Sequence, residues 1–227
     1  MSDTALAKAT VFVVDDDQAM RNSLKWLIES VGVAVESFSS ADAFLAAYEP
    51  GRPGCLVLDV RMPGMSGLEL QEHLSSQNIR VPAVIITGHG DVPMAVRAMK
   101  AGAIDFIEKP FNDEALLDAI RRALAFEAQQ RTEQYEHREI EARIDHLTPR
   151  EREVMEMVTE GRSNKEIANA LGVSAKTIEA HRARVMEKMQ ARSLAELVRM
   201  RWKRATGEEI EPVDKASSIW PDEVEAD

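Results

Sequence analysis

Short runs of apolar, mostly β-branched residues alternate with helix-forming stretches over the first half of the chain, and this alternation limits the fold more than any other feature. The apolar runs lie at 11–14, 33–38, 55–59, 82–87 and 104–107. The helical stretches lie at roughly 18–31, 40–48, 66–76, 91–101 and 112–126. Alternating strands and helices form parallel sheets through right-handed crossovers, with helices on both faces. We therefore predict an α/β doubly wound, five-stranded parallel sheet for residues 8–126.

Polar residues stand at the carboxyl ends of four predicted strands. They are Asp15 and Asp16 after the first strand, Asp59 at the end of the third, Thr87 at the end of the fourth and Lys109 after the fifth. In a doubly wound fold these ends share one edge, so we expect the side chains to converge. Neighbouring carboxylates repel each other at the edge of a core. Mg²⁺ prefers oxygen ligands and would remove that repulsion, with Asp16 and Asp59 binding it directly and Asp15 acting through water.

A basic block lies inside an otherwise acidic chain. The net charge of the whole protein is -11. Over residues 147–204, however, 13 Lys and Arg residues outnumber 8 Asp and Glu residues. A local excess of positive charge in an acidic protein points to a nucleic-acid partner for that block.

The same block carries a series of helix-start signals. Ser or Thr precedes Glu by three positions at Thr148–Glu151, Ser163–Glu166 and Ser193–Glu196, and Ser174 is a further candidate N-cap. Such pairs form capping boxes, and Pro149 suits the first helical position. We predict an all-α domain with four helices, at 149–160, 164–171, 175–189 and 194–203. The short interval between the second and third helices is typical of a helix-turn-helix.

Two further segments flank this domain. Residues 127–146 are polar, contain neither Gly nor Pro, and predict a helical linker. Residues 205–227 contain eight acidic residues and one Lys, which predicts an acidic, disordered tail around Trp220. No apolar run reaches membrane-spanning length and no secretion signal opens the chain, so we expect a cytoplasmic protein. Cys55 lies in an apolar run and is expected to be a buried, unreactive side chain.

Several segments resemble a known family. VVDDD, LVLDVRMPGMSG, VIITGHGD and DFIEKPF resemble the CheY-like receiver domain of two-component response regulators. LTPREREVMEMVTEGRSNKEIANALGVSAKTIEAHRARVMEKM resembles the LuxR-type helix-turn-helix. In this order the two resemble the FixJ-like branch of the NarL/FixJ family. The resemblance covers about residues 8–126 and 147–200 and leaves out the acidic tail.

The resemblance implies a role for each matching receiver residue. Asp59 would accept a phosphoryl group from a sensor histidine kinase. Lys109 and the Thr87 hydroxyl would each bind a phosphoryl oxygen, and Phe106 would turn inward as Thr87 moves. The Mg²⁺ ligands would be Asp15, Asp16, Asp59 and the backbone carbonyl of Arg61. Such a protein is a regulator rather than an enzyme, and it only assists its own phosphoryl transfer.

The resemblance also implies double-stranded DNA, a second copy of the chain and RNA polymerase as partners. The third helix of the second domain would enter the major groove. Its outward residues are Lys176, Thr177, Glu179, Arg182, Arg184 and Lys188. A homodimer formed on phosphorylation would read an inverted-repeat promoter site. The candidate dimer contacts are Val92, Pro93, Met94 and Val96 in the first domain and Leu194, Leu197 and Val198 in the second.

Two other hypotheses compete with a phosphorylation-controlled transcription factor. A haloacid-dehalogenase-like phosphatase would use Asp15 as the nucleophile and Asp17 as the acid. That family expects Thr two positions beyond the second acid, where this chain has Ala19, and an acidic pair on a late strand, which is missing. A regulator whose receiver only mediates dimerisation would not need phosphate at all. It ranks last because every residue needed for phosphorylation is present.

Overall fold

The computed structural model describes the backbone of residues 9–206 and the side chains of residues 9–204. Beyond its first two positions, the predicted acidic tail, including Trp220, lies outside the described residues. The chain divides into two compact units, the first ending at Thr132 and the second beginning at Glu133.

A five-stranded parallel sheet forms the centre of the first unit. The strands are β1 (Thr10–Val14), β2 (Ala34–Phe38), β3 (Gly54–Asp59), β4 (Ala83–Thr87) and β5 (Asp105–Glu108). Their order is β2-β1-β3-β4-β5, and all neighbouring pairs are parallel. The predicted doubly wound α/β fold is confirmed. The chain reverses direction across the sheet between β1 and β3, and this is where such folds place their functional groups.

Helices cover both faces of this sheet. They are α1 (Gln18–Ser30), α2 (Ala41–Ala47), α3 (Gly67–Ser76), α4 (Val92–Lys100) and the first turns of α5 (Asp113–Asp145). Successive strand residues point to opposite faces, so each strand feeds two cores. Val11 and Val13 pack with side chains of α1 and α5. Phe12 and Val14 pack on the other side, with side chains of α2, α3 and α4.

The second unit contains the predicted helix-turn-helix. Its helices after α5 are α6 (Pro149–Thr159), α7 (Asn164–Leu171), α8 (Ala175–Met189) and α9 (Leu194–Thr206). The capping boxes Thr148–Glu151 and Ser163–Glu166 are confirmed, and Ser174 caps α8. The third predicted box is only half formed. Ser193 Oγ accepts the Glu196 N–H at 3.2 Å, but the Glu196 carboxylate accepts the N–H of Arg192 instead.

The predicted linker is the continuation of α5, and its last turns pack within the second unit. Ile140 and Ile144 are buried with Leu147 in the same core as side chains of α6, α7 and α8. Arg204 Nε donates to Glu141 Oε1 at 2.7 Å, and Lys203 forms an ion pair with Glu136, joining α9 to α5. We propose that the folded second domain begins near residue 133 rather than at 147, because its core is incomplete without these turns.

Replacing Ile144 with Ala should lower the free energy of unfolding of the second unit by about 3 kcal/mol. The Ile144 side chain is 1% exposed, so the truncation would leave a cavity in the core. Tyr135→Ala provides the control, because Tyr135 lies on the same helix and is 65% exposed. That change should stay within about 0.5 kcal/mol. Urea unfolding followed by circular dichroism measures both; equally small effects would show that the linker is not part of this core.

Candidate functional sites

Two buried carboxylates and one ammonium meet at the carboxyl edge of the sheet. Asp15 is 1% exposed and Asp59 is 6% exposed. Lys109 Nζ donates to Asp15 Oδ2 at 2.9 Å and to Asp59 Oδ1 at 2.8 Å. Asp15 and Asp59 become neighbours because β1 and β3 are adjacent, and Lys109 reaches them from the end of β5. Three of the five side chains expected to converge are therefore in direct contact.

Backbone hydrogen bonds orient these three residues. Asp59 Oδ2 accepts the N–H of Arg61 at 3.0 Å, and Asp15 Oδ1 accepts the N–H of Asp17 at 2.8 Å. Each carboxylate thus has one oxygen held by its own loop and the other by Lys109. The Lys109 N–H donates to the carbonyl of Thr87 at 2.7 Å, which ties the end of β5 to the end of β4.

The charges in this group do not balance. Burial raises the pKa of Asp59, and repulsion from Asp15 adds to this effect, although the Lys109 ammonium and the Arg61 N–H oppose it. Burial lowers the pKa of Lys109, but its hydrogen bonds to Asp15 and Asp59 outweigh burial, so that pKa is raised overall. Lys109 supplies one positive charge to two carboxylates. A further cation would therefore be favourable at this edge.

The neighbouring acids of the Asp15–Asp17 run differ in what they do. The Asp16 side chain is exposed. Asp17 Oδ1 accepts the N–H of Ala19 at 2.8 Å and caps α1. That cap accounts for Asp17 without the acid role that the phosphatase hypothesis gives it.

The predicted Mg²⁺ ligands are assembled only in part. Among residues 9–204, no three His, Cys, Asp or Glu side chains converge as a metal site. The structure brings Asp15 and Asp59 together and leaves Asp16 facing solvent beside them. The donor chemistry still fits Mg²⁺, which prefers oxygen atoms and usually needs only one or two carboxylates because it retains several waters. The unbalanced negative charge at Asp15 and Asp59 supports the same fit.

Thr87 and Phe106 both lie close to Gly90. Thr87 is fully buried, and its Oγ1 accepts the N–H of His89 at 3.3 Å. Phe106 is half-buried and packs against the core beneath α4. A Cβ atom added at Gly90 would lie 3.0 Å from Phe106 Cε1 and 3.4 Å from Thr87 Cγ2. Gly90 therefore allows both side chains to approach the loop, a role that residue-type patterns did not indicate.

A second glycine supports the backbone of Asp59. Gly67 opens α3, and its N–H donates to the carbonyl of Val60 at 3.1 Å. A Cβ atom at Gly67 would lie 2.2 Å from the backbone oxygen of Asp59. Only glycine permits this approach, so Gly67 is part of the scaffold of the site. Gly67 belongs to the MPGMSG segment, but nothing in that segment predicts its contact with the backbone of Asp59.

Helix α4 presents an apolar stripe of Val92, Val96 and Met99, all of which are exposed. Their spacing of four and three residues places them on one side of the helix. Pro93 is also exposed, whereas Met94 is half-buried and packs against the core. Of the four dimer candidates in this unit, Met94 is therefore the one used largely for internal packing, and the exposed Met99 was not among the candidates.

Helix α8 buries one side and exposes the other. Ile178, Val185 and Met189 lie in the core of the second unit. The exposed residues among those predicted to contact DNA are Lys176, Thr177, Glu179 and Arg184. Arg182 is half-buried and donates through Nη1 to Asn164 Oδ1 at 2.8 Å. Lys188, expected to face outward, is also half-buried and is bonded to side-chain and backbone atoms of its own unit.

The dimer candidates on α9 are placed differently from one another. Leu194 is exposed and Val198 is half-buried. Leu197 is 1% exposed and lies in the core of its own unit, which corrects the expectation that it is available to a partner. The physical reason is that α9 packs back onto α6, so Leu197 is used within the unit.

Comparison with known proteins identifies a family for each of the two units. Residues 11–121 match the response regulator receiver domain, and residues 145–201 match the bacterial regulatory proteins of the luxR family. The transcriptional regulatory protein FixJ of Azorhizobium caulinodans is 51% identical over 190 residues, covering 84% of this chain and 90% of that protein. The response regulator protein TodT of Pseudomonas putida is 44% identical over 200 residues, covering 88% and 87%.

Solved structures show the same two-part architecture. The response regulator StyR aligns with a TM-score of 0.79 at 48% identity, covering 86% of this chain and 99% of that one. Full-length FixJ from B. japonicum aligns with a TM-score of 0.53 at 46% identity, covering 87% and 98%. Separately, none of the helices in the described part of the chain has the length and apolar character needed to cross a membrane.

Proposed function

This chain belongs to the NarL/FixJ family of two-component response regulators, and from that membership we propose that phosphorylation of Asp59 controls its binding to promoter DNA. The observation that carries the proposal is the buried Asp59 carboxylate, held by Lys109 Nζ at 2.8 Å beside a second buried carboxylate, Asp15. The phosphodonor is the phosphohistidine of a sensor histidine kinase. The protein acts in the cytoplasm, where the chromosome lies.

The transfer is a displacement at phosphorus. An oxygen of the Asp59 carboxylate forms a bond to phosphorus as the bond from phosphorus to the kinase histidine breaks. The protein contributes mainly position and neutralisation of charge on the transferred oxygens. Lys109 supplies one positive charge, and the Arg61 N–H fixes the direction of the carboxylate. Mg²⁺, held by Asp15, Asp16, Asp59 and the carbonyl of Arg61, would supply the remaining positive charge.

The phosphoryl group changes what Thr87 and Phe106 do. It brings about two negative charges and strong acceptor oxygens to the carboxyl edge. The Thr87 hydroxyl, now an acceptor for the His89 N–H, would turn to donate to a phosphoryl oxygen. Phe106 would then move inward past Gly90, because all three residues are packed together. Phosphorylation in this account shifts a population between two existing arrangements of the α4 side.

The surface altered in this way is the apolar stripe of α4. Val92 and Val96 from the predicted set, together with Met99, present exposed apolar side chains to a second copy of the chain. Pro93 and the exposed Leu194 of α9 complete the candidate contacts. The resulting homodimer places two α8 helices in successive major grooves, with half-sites about one helical turn apart. Bound there, it would act on RNA polymerase.

Contacts to DNA would come from the exposed side of α8. Lys176, Thr177 and Glu179 lie in its N-terminal half, which faces base edges in helix-turn-helix proteins. Arg182 and Arg184 lie further along and are suited to phosphate. Lys176 and the two arginines bring positive charge to this side of an otherwise acidic protein, which supports a DNA-facing orientation.

Genome-wide footprinting with and without acetyl phosphate tests the proposal. We expect promoter fragments to be protected at a concentration at least about tenfold lower with the donor, together with dimerisation in sedimentation experiments. On those fragments Arg184→Ala should weaken binding and reduce the slope of log K against log salt by about 0.9, as loss of one phosphate contact requires. Lys25→Ala, an exposed change in the first unit, is the control. Identical footprints under both conditions would favour the phosphate-independent regulator.

A further inference from the structure

The C-terminal turn of α8 is held by residues from the end of α5 and the start of α6. Lys188 Nζ donates to Glu151 Oε2 at 2.6 Å and to the backbone carbonyl of His146 at 3.2 Å. Arg143 Nη1 donates to the backbone carbonyl of Met189 at 3.3 Å. We refer to these five residues as the α8 clamp. Its members come from α5, α6, α8 and the turn at His146 between α5 and α6.

The anchor of the α8 clamp is a buried carboxylate. Glu151 is 2% exposed and also accepts the N–H of Thr148 at 2.9 Å, as part of the capping box of α6. The hydrogen bond from Lys188 is the main cause that lowers the pKa of Glu151 to about 2, and the Thr148 N–H contributes to the same direction. Glu151 is therefore ionised under the conditions of DNA binding. Its charge is matched inside the domain by Lys188.

These contacts distinguish Lys188 from Lys176 and Arg184, the exposed basic residues of α8. Its side chain is 34% exposed, whereas Lys176 and Arg184 are exposed. A Lys ammonium has three N–H donors, and two of those of Lys188 are used by Glu151 and His146. Because its charge is already compensated, Lys188 has little to gain from a DNA phosphate.

The position of the clamp explains how it could affect DNA recognition. Helix α8 has 15 residues, so it is about 22 Å long. A rotation of about 10° about its C-terminal end would displace the N-terminal end by about 4 Å, which is larger than a hydrogen-bond length. The residues facing base edges lie in that N-terminal half. The C-terminal turn must therefore hold the direction of the helix, and not only its end point, for these residues to meet the bases in register.

We propose that Lys188 and Glu151 are positioning residues that set the orientation of α8 for specific DNA recognition without touching DNA. The proposal rests on the DNA-binding function above. It assigns the two residues to specificity rather than to electrostatic affinity. Non-specific binding depends on exposed positive charge and tolerates small displacements of a helix, whereas base readout does not.

The test compares Lys188→Met with Arg184→Met in the full chain. Affinity is measured for a footprinted promoter fragment and for calf-thymus DNA between 50 and 200 mM salt, with circular dichroism confirming that each protein is folded. For Lys188→Met we expect a loss of about tenfold or more on the promoter, an unchanged salt slope, and calf-thymus affinity close to that of the wild type. For Arg184→Met we expect weaker binding to both DNAs and a slope reduced by about 0.9. Lys188→Arg should restore most promoter affinity.

A second variant covers the case in which Lys188→Met does not fold. Glu151→Gln keeps an acceptor for Thr148 but removes the charge that holds Lys188, and it should give the same loss of specificity with the same slope. A salt slope reduced by about one in Lys188→Met would make Lys188 a phosphate contact and overturn the proposal. Unchanged promoter affinity in the folded variants would overturn it as well. Failure of the wild type to bind DNA would instead overturn the proposed function, and that is measured separately.

Discussion

Replacing Asp59 with Asn should abolish labelling by acetyl phosphate while leaving the protein folded. The Asn amide cannot attack phosphorus as a carboxylate does, and among residues 9–204 only Asp15 shares with Asp59 both a contact with Lys109 and a contact with a backbone N–H two residues along. Stability should be equal or slightly higher, because the change removes one of two buried like charges that share a single ammonium. Intact-protein mass spectrometry measures the label, and thermal unfolding measures the fold.

Asp17→Asn is the matched control for this experiment. Asp17 belongs to the same acidic run, but its carboxylate caps α1, and Asn is an equally good N-cap. Labelling of this variant should match that of the wild type. Labelling that survives in Asp59→Asn would place the acceptor at Asp15 or Asp16, and the mechanism proposed here would then be wrong.

Replacing Gly67 with Ala should destabilise the first unit by about 3 kcal/mol and slow the labelling of Asp59. The added Cβ would lie 2.2 Å from the backbone oxygen of Asp59 and 2.9 Å from Leu58 Cγ. A flexible side chain could move aside, but the backbone of β3 is held by β1 and β4 and cannot. Relief of the clash must therefore displace α3 or the end of β3, which carries the acceptor.

Gly88→Ala separates this effect from the general consequences of adding a methyl group. No atom lies within 4 Å of a Cβ built at Gly88. The stability of the Gly88→Ala variant should therefore be unchanged or slightly increased, since Ala lowers the conformational entropy of the unfolded chain. Thermal unfolding of both variants gives the comparison. Equal melting temperatures would show that α3 can move away from Asp59 without cost, and Gly67 would then have no special role.

The local patterns of this sequence predicted the elements and the approximate place of the site. Apolar runs of strand length between helical stretches were enough for the sheet, because such runs need burial on both faces. Asp15, Asp59 and Lys109 could be expected to meet because each follows a strand, and parallel strands end at one edge. Capping residues predicted the starts of α6, α7 and α8. Each cap accepts the backbone N–H of the residue only three positions later, so the signal lies within the local sequence.

Contacts between distant residues could not be predicted in this way. Lys188 had the type and spacing of an outward DNA contact, but its partner Glu151 lies 37 positions earlier in the chain. By residue type and position Leu197 could be an exposed dimer contact, but the packing of α9 onto α6 buries it. The close approach of Gly67 to Asp59 could not be predicted from residue type. In a sequence, a glycine required by a close contact cannot be distinguished from a glycine required by a turn.

The sequence by itself determined the alternation of strands and helices, the edge at which charged groups would gather, and the starts of α6, α7 and α8. Only the tertiary structure decided that Asp15, Asp59 and Lys109 touch while Asp16 faces solvent, and that the end of α5 completes the second core. Periodicity and capping depend only on residues a few positions apart, so they can be recognised from the local sequence. The partner of a side chain depends on which elements pack together. That packing results from many long-range contacts that form together across the fold.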